Sequence, residues 1–274
     1  MSMPQIQIGD LSVSRFIIGG NPFSGFSHQG IDRDAEMIRY YTVSRIKNSL
    51  KQAENLGIDT FLGMAYQHII RMLREYHDEG GAIRWFAQTC PEMSSIQRSI
   101  EDALRGGAAA SYIHGGVMDY LVANNKLDEV PGVIEMIRSA GLPAGIAGHD
   151  PRVFEWAENT IDVDFYMCSY YNASHRDEQA EHIHGRPEWF KSEDREIMAN
   201  LIQGLSKPAI HYKILAAGRN DPREAIQFAA DHMRPQDALC VGVFTKDHPQ
   251  MLEEDVSIFL NHMQVRKTGS NSIG

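Results

Sequence analysis

The chain has 274 residues, 43% hydrophobic and 23% charged, an ordinary globular composition that excludes wholesale disorder. Its formal net charge is −10, from 26 basic and 36 acidic side chains, and no long basic run is present, which argues against nucleic-acid binding. Three scattered cysteines (Cys90, Cys168 and Cys240) without a CxxC pair point to a reducing compartment. There is no basic–apolar leader pattern at the start and no apolar run of the roughly 18 residues that a membrane span needs, so a soluble cytoplasmic protein is expected.

In chain order, residues 6–14 alternate about Gly9–Asp10 and predict a short hairpin. Residues 16–20 predict a first buried strand, and 23–41 a long loop of the kind that covers a substrate. Residues 42–57 keep helical spacing, with Thr42 as N-cap and Gly57 ending the helix. Strands are then predicted at 58–62, 83–88, 110–114, 143–147, 163–168, 209–214 and 238–243. Helices are predicted between them at 67–79, 94–105, 127–140, 150–159, 192–205 and 221–232, with a last one at 246–263. Residues 170–191 form a second long polar segment, and the tail from Gln264 is expected to fray. Eight strands alternating with helices, with no GxGxxG after the first, predict a single (β/α)8 TIM barrel with a short N-terminal hairpin rather than an open doubly wound sheet.

In such a barrel the reactive groups come from the C-terminal ends of the strands. Those ends supply Asn21, His68, Gln88, His114, His149, Cys168, Tyr171, Asn172, His211 and Lys213, with Glu92 and Arg219 close by. Three neighbouring strands end in histidine: His114, His149 and His211. Imidazoles suit Zn, Mn, Fe or Ni, with Glu92 or Cys168 completing a shell; the same histidines could equally act as acid–base or hydrogen-bonding groups without a metal. Ala209, His211 and Lys213 share one face of the predicted strand, which makes Lys213 a candidate to stabilise an enolate or to act as a desolvated base; an ion pair, with Glu92 for example, is the alternative. Arg219 could clamp a carboxylate or phosphate or simply face solvent; Tyr170 and Tyr171 could stack on a ligand or pack. His175, His182 and His184 lie in the polar segment; His182 and His184 resemble a weak metal pair, with plain solvation as the alternative.

The runs IGDLSVSRFIIGG, AENLGIDTFLGMAY, SYIHGGVMDYL, AGLPAGIAGHD, FYMCSYYN and CVGVFTKDHPQMLEED, in this order and spacing, make the chain resemble the aldo/keto reductase superfamily. The resemblance implies its barrel, and an Asp, Tyr, Lys and His tetrad with bound NADPH. The tetrad transfers only in part. Its Asp falls at Leu62 or Gly63, its Tyr at Gln67 or His68, and its Lys near Thr89 or Cys90; only the His is matched, by His114. The Ser-Asn pair that holds the nicotinamide falls at Ala147–Gly148, although Thr245 and Lys246 could still meet a phosphate.

The expectation is an enzyme acting on a small polar carbonyl or sugar-derived substrate by proton abstraction next to the carbonyl, of isomerase, epimerase or lyase type. His114, Lys213, Tyr171 and His68 would be catalytic. Asn21, Gln88, Asn172 and Arg219 would bind substrate. His149, His211, His114, Glu92 and Cys168 are the candidate ligands of a divalent metal ion, which is preferred over NADP as cofactor. An atypical NADP-dependent reductase and a non-catalytic binding or regulatory barrel are the alternatives. A small molecule, rather than nucleic acid or membrane, is the expected partner.

Overall fold

A computed structural model describes residues 2–91, 96–174 and 176–270. The chain opens with an antiparallel pair, β1 (Gln5–Ile8) and β2 (Leu11–Ser14). The barrel follows: β3 (Phe16–Gly19), α1 (Ile31–Tyr40), α2 (Val43–Asn55), β4 (Thr60–Met64), α3 (Gln67–Asp78), β5 (Arg84–Gln88), α4 (Ile96–Arg105) and β6 (Ala110–Ile113). It continues with α5 (Gly115–Ala123), α6 (Val130–Ser139), β7 (Ala144–Gly148), α7 (Pro151–Thr160), β8 (Phe165–Ser169), α8 (Ser192–Ile202), β9 (Ala209–Tyr212), α9 (Pro222–His232), β10 (Ala238–Gly242) and α10 (Met251–Ser270). Strands β3 to β10 are all parallel and close into a barrel, β10 pairing with β3.

Alternation along each strand separates two cores. Inward-facing Ile17, Leu62, Phe86, Tyr112, Phe165, Met167 and Ile210 fill the barrel, and the hairpin plugs its lower end with Ile6, Ile8 and Val13. Outward-facing residues such as Phe16, Ile113, Tyr166 and Ala209 pack under the helices. Gly145 makes room for the Phe165 ring, which a Cβ would meet at 2.5 Å. Helix starts follow their caps: Thr42 accepts from the Arg45 N–H, and Asp150 from the Arg152 N–H with Pro151 in the first turn.

The structure departs from the sequence expectations in four places. The predicted loop 23–41 contains α1. Helix α5 fills the stretch after His114; it starts on two glycines and buries Val117, Met118 and Asp119, so it shows no amphipathic stripe to read. Strand β9 stops at Tyr212 because Lys213 takes a left-handed backbone with φ 57°. Helix α10 runs on to Ser270, through the tail that was expected to fray from Gln264, and residues 271–274 lie outside the described residues. Among the described residues no helix is long and apolar enough to cross a membrane.

Candidate active site

A cavity of about 420 Å³ opens at the C-terminal end of the barrel. Its floor is apolar, with Leu62, Tyr112 and Met167, while its walls carry His114, His149, Tyr212 and Lys213 from the strand ends. Two long loops cover it. The loop after β3 brings Asn21 and His28, and the loop after β8 brings Arg176 and His182. The loops are clasped to each other: Asp34 accepts from the Ser27 N–H (2.8 Å) and faces His184 Nδ1 at 2.7 Å.

His114 ends β6 and caps α5. Its Nδ1 accepts the Gly116 N–H at 3.0 Å, so in the neutral ring the proton resides on Nε2. Burial, together with His149, Arg176 and Lys213, holds this imidazole well below its ordinary pKa. It is therefore a neutral N–H donor at a helix N-terminus. His149 ends β7. Its Nδ1 lies 2.6 Å from Asp119 Oδ2, which fixes the proton there and leaves Nε2 as an acceptor 3.3 Å from the Tyr212 hydroxyl. Burial lowers the His149 pKa against the pull of Asp119, and burial raises that of Tyr212. Close approach here requires glycine: a Cβ on Gly115 would lie 3.0 Å from His149 Cε1 and 3.1 Å from the Tyr212 oxygen.

A second polar chain hangs over the first. Lys213 Nζ is 3.0 Å from His28 Nε2, and His28 Nδ1 is 2.8 Å from Glu188 Oε2. Burial, and Lys213 next to it, pushes His28 down to about 3. Burial alone would raise Glu188, but the His28 hydrogen bond and nearby positive charge hold it at about 2. Burial brings Lys213 down to about 8.

Several sequence candidates meet here and several do not. His114, His149, Lys213, Asn21 and Gln88 line the one cavity. His211 does not: it is fully buried on the outward side of β9, 2.9 Å from the Tyr170 hydroxyl and 3.4 Å from Asp237. Cys168 is its register neighbour on the same outward side, and burial raises its thiol well above the ordinary value. Strand alternation thus excludes both from a metal shell with His114 and His149. Lys213 escapes to the mouth only because its left-handed turn breaks the alternation that would have placed it with His211. Glu92 and His175 lie outside the described residues. Tyr170 is buried, its hydroxyl against His211.

The remaining candidates serve elsewhere. Tyr171 is buried against Phe190 and accepts from Asn220 Nδ2 at 2.7 Å. His68 is exposed on α3, 3.1 Å from Ser24 Oγ. Asn172 borders a separate polar pocket of about 290 Å³ with Asp119, Asp150 and Arg176. Arg219 donates to the Ala216 and His28 carbonyls, each at 3.0 Å, and lies over the Phe190 ring, so it braces the His28 loop. Thr245 bonds to Tyr40, and Lys246 pairs with Glu36.

His28, Asp119, Arg176, Glu188 and Tyr212 are the site residues that sequence reasoning passed over. Only Asp119 left a trace, as an acid inside the apolar run GGVMDYLVA. His28, His182 and Glu188 bring potential ligand atoms within 4.8 Å of one another, a set compatible with a divalent ion. The hydrogen bond between His28 and Glu188, and the Lys213 ammonium on the other ring nitrogen, already engage that set.

Fold and cavity together define a (β/α)8 TIM barrel with a polar cavity at the C-terminal ends of its strands. The chain is similar to a protein described as an aldo-keto reductase from Pseudomonas aeruginosa (18% identity, 94% of this chain and 96% of that one, TM-score 0.64). It is also similar to the holo form of an aldo-keto reductase from Bacillus halodurans (14% identity, 96% and 95% covered, TM-score 0.61). A truncated 3-deoxy-D-arabino-heptulosonate 7-phosphate synthase from Thermotoga maritima shares the barrel at 13% identity (99% and 94% covered, TM-score 0.54). Neither a family model nor a curated protein matches the sequence.

Proposed function

We propose that the protein is an enzyme that moves a proton at the carbon next to the carbonyl of a small polar substrate, giving isomerisation, epimerisation or elimination. The observation that carries this is the Asp119–His149–Tyr212 chain standing beside a neutral N–H donor, His114, in one closed-over cavity. His149 Nε2, backed by Asp119, takes the proton from carbon. The His114 Nε2–H and the Lys213 ammonium receive the negative charge that develops on the carbonyl oxygen. Tyr212 holds the His149 ring in place until the substrate C–H takes over Nε2, and the His149 imidazolium then returns the proton. Arg176, whose buried Nε has no hydrogen-bond partner among the described residues, suits a carboxylate or phosphate on the same substrate. Sugar derivatives fit this description.

The test is incubation of a panel of small ketoses, aldoses and keto acids in D2O, followed by NMR. Deuterium entering at the carbon next to the carbonyl supports the proposal. Exchange with none of them, together with NADPH-dependent reduction of any, overturns it.

The second reading is an atypical NADP-dependent reductase. It is favoured by the fold, and by the extension of the cavity along the end of β10 to Gly242, Phe244 and Asp255. Quenching of protein fluorescence by micromolar NADPH would support it.

A further inference from the structure

We infer that Lys213 is a nucleophile: its amine forms an imine with the substrate carbonyl carbon, with His28 as its proton acceptor and Glu188 orienting His28. This rests on the carbonyl-substrate reading above and replaces simple charge stabilisation by Lys213 with a covalent role.

Amine, imidazole and carboxylate stand in line, with 3.0 Å from Lys213 Nζ to His28 Nε2 and 2.8 Å from His28 Nδ1 to Glu188 Oε2. A nucleophile touching a base that a third group orients is the general form of an activated nucleophile. Because Nδ1–H is given to Glu188, Nε2 presents a lone pair and can take a proton from the ammonium. A buried lysine with a structural role is normally paired to a carboxylate. Among the described residues Lys213 makes no such ion pair, and its polar contact is the uncharged His28 ring. Its left-handed backbone, at φ 57°, is a conformation that a residue with a Cβ adopts at a cost. The strain moves the side chain from the helix layer, where His211 lies, into the cavity.

The step balances without an oxidant or reductant. The Lys213 ammonium gives one proton to His28 as its nitrogen attacks the carbonyl carbon; a C–N bond forms, the C=O π pair moves to oxygen, and oxygen takes a second proton from that nitrogen. His28 returns its proton to the carbinolamine hydroxyl, which leaves as water, and nitrogen's pair closes the C=N bond of a protonated imine. That imine draws electrons from the neighbouring C–H, so the proton taken by His149 leaves an enamine. The iminium then supplies the electron sink.

The test labels the intact protein briefly with formaldehyde and sodium cyanoborohydride near neutral pH, and follows each lysine by peptide mass spectrometry. Formaldehyde is itself a carbonyl, so the reading does not depend on knowing the substrate. Lys213 should be methylated at least about tenfold faster than the exposed Lys51, and His28→Ala and Glu188→Gln should abolish the difference. Labelling of Lys213 no faster than Lys51 overturns the inference, and this wild-type result stands even if the variants fold poorly. Slow labelling alongside deuterium exchange into a carbonyl substrate would remove the covalent step while leaving the proposed reaction intact. Tight stoichiometric Zn²⁺ binding that disappears in Glu188→Gln and leaves Lys213 unreactive would also overturn it, since the three groups would then form a metal site.

Discussion

Asp119 Oδ2 lies 2.6 Å from His149 Nδ1, and Asp119 Oδ1 accepts the backbone N–H groups of His149 and Asp150 at 2.9 and 3.1 Å. One carboxylate on α5 therefore sets the tautomer of the ring, its tilt and the path of the loop that carries it. Asp119→Asn keeps the shape but can no longer demand the proton on Nδ1. The rate of carbon-bound proton exchange should fall on the order of a hundredfold or more, with a smaller change in KM. Single-turnover exchange followed by NMR measures this. An unchanged rate would remove His149 from the role of base.

The barrel was legible in the sequence because βα alternation repeats eight times and each unit carries its own turn signals. The site was legible only at strand ends. His114 and His149 were found because they directly follow their strands. His211 was misplaced because period-2 reasoning extended β9 two residues too far, through the left-handed turn at Lys213. His28 and Glu188 were invisible for another reason. They sit 160 residues apart in loops without periodicity, and only closure of the barrel brings their side chains together.

His211 and Asp237 should matter for stability and not for chemistry. Asp237, fully buried, accepts from the Ala209 N–H and from Arg234 and faces His211. Burial would raise its pKa, but these hydrogen bonds outweigh it and hold it at about 2. A depressed carboxylate adds stability above its unfolded value of roughly 3.9, and that stability is lost as pH falls toward 2. His211→Gln and Asp237→Asn should each lower stability by about 1–3 kcal/mol near neutral pH. Asp237→Asn should also flatten the acid side of the stability profile. Urea titrations between roughly pH 2 and pH 6 would show both effects. Exchange rates per folded molecule should match the wild type.

Gly115→Ala separates packing from stability at the site. The new methyl would sit 3.0 Å from His149 Cε1 and 3.1 Å from the Tyr212 oxygen, so both groups must give by a few tenths of an ångström. In a helix, alanine gains up to about 1 kcal/mol over glycine, which offsets the crowding. The expected outcome is a melting temperature within a few degrees of wild type and at least a tenfold lower rate of proton exchange, on the order of 1.4 kcal/mol in barrier. Equal loss of both, or of neither, would mean that His149 and Tyr212 do not act as a unit.

Asp255 offers the opposite pH signature. It lies on α10 with 2% of its surface exposed, and its Oδ2 has no hydrogen-bond partner among the described residues. Burial, reinforced by Glu254 and only partly opposed by His248, raises its pKa to about 7. The folded protein therefore keeps a proton on Asp255 that the unfolded chain has already released above roughly pH 4. The sign follows from proton counting. Between those values the native state binds more protons, so stability is fully present below the unfolded pKa and declines as pH rises through 7. Asp255→Asn supplies a permanently neutral side chain of the same shape. Wild type should lose stability from pH 5 to pH 8 by roughly 1–3 kcal/mol, several degrees in Tm, while the variant should stay flat across that range and be the more stable protein at pH 8. Calorimetric scans of the two proteins at matched ionic strength decide it. A variant less stable than wild type at pH 8 would mean that the carboxylate is ionised and held there by a favourable contact.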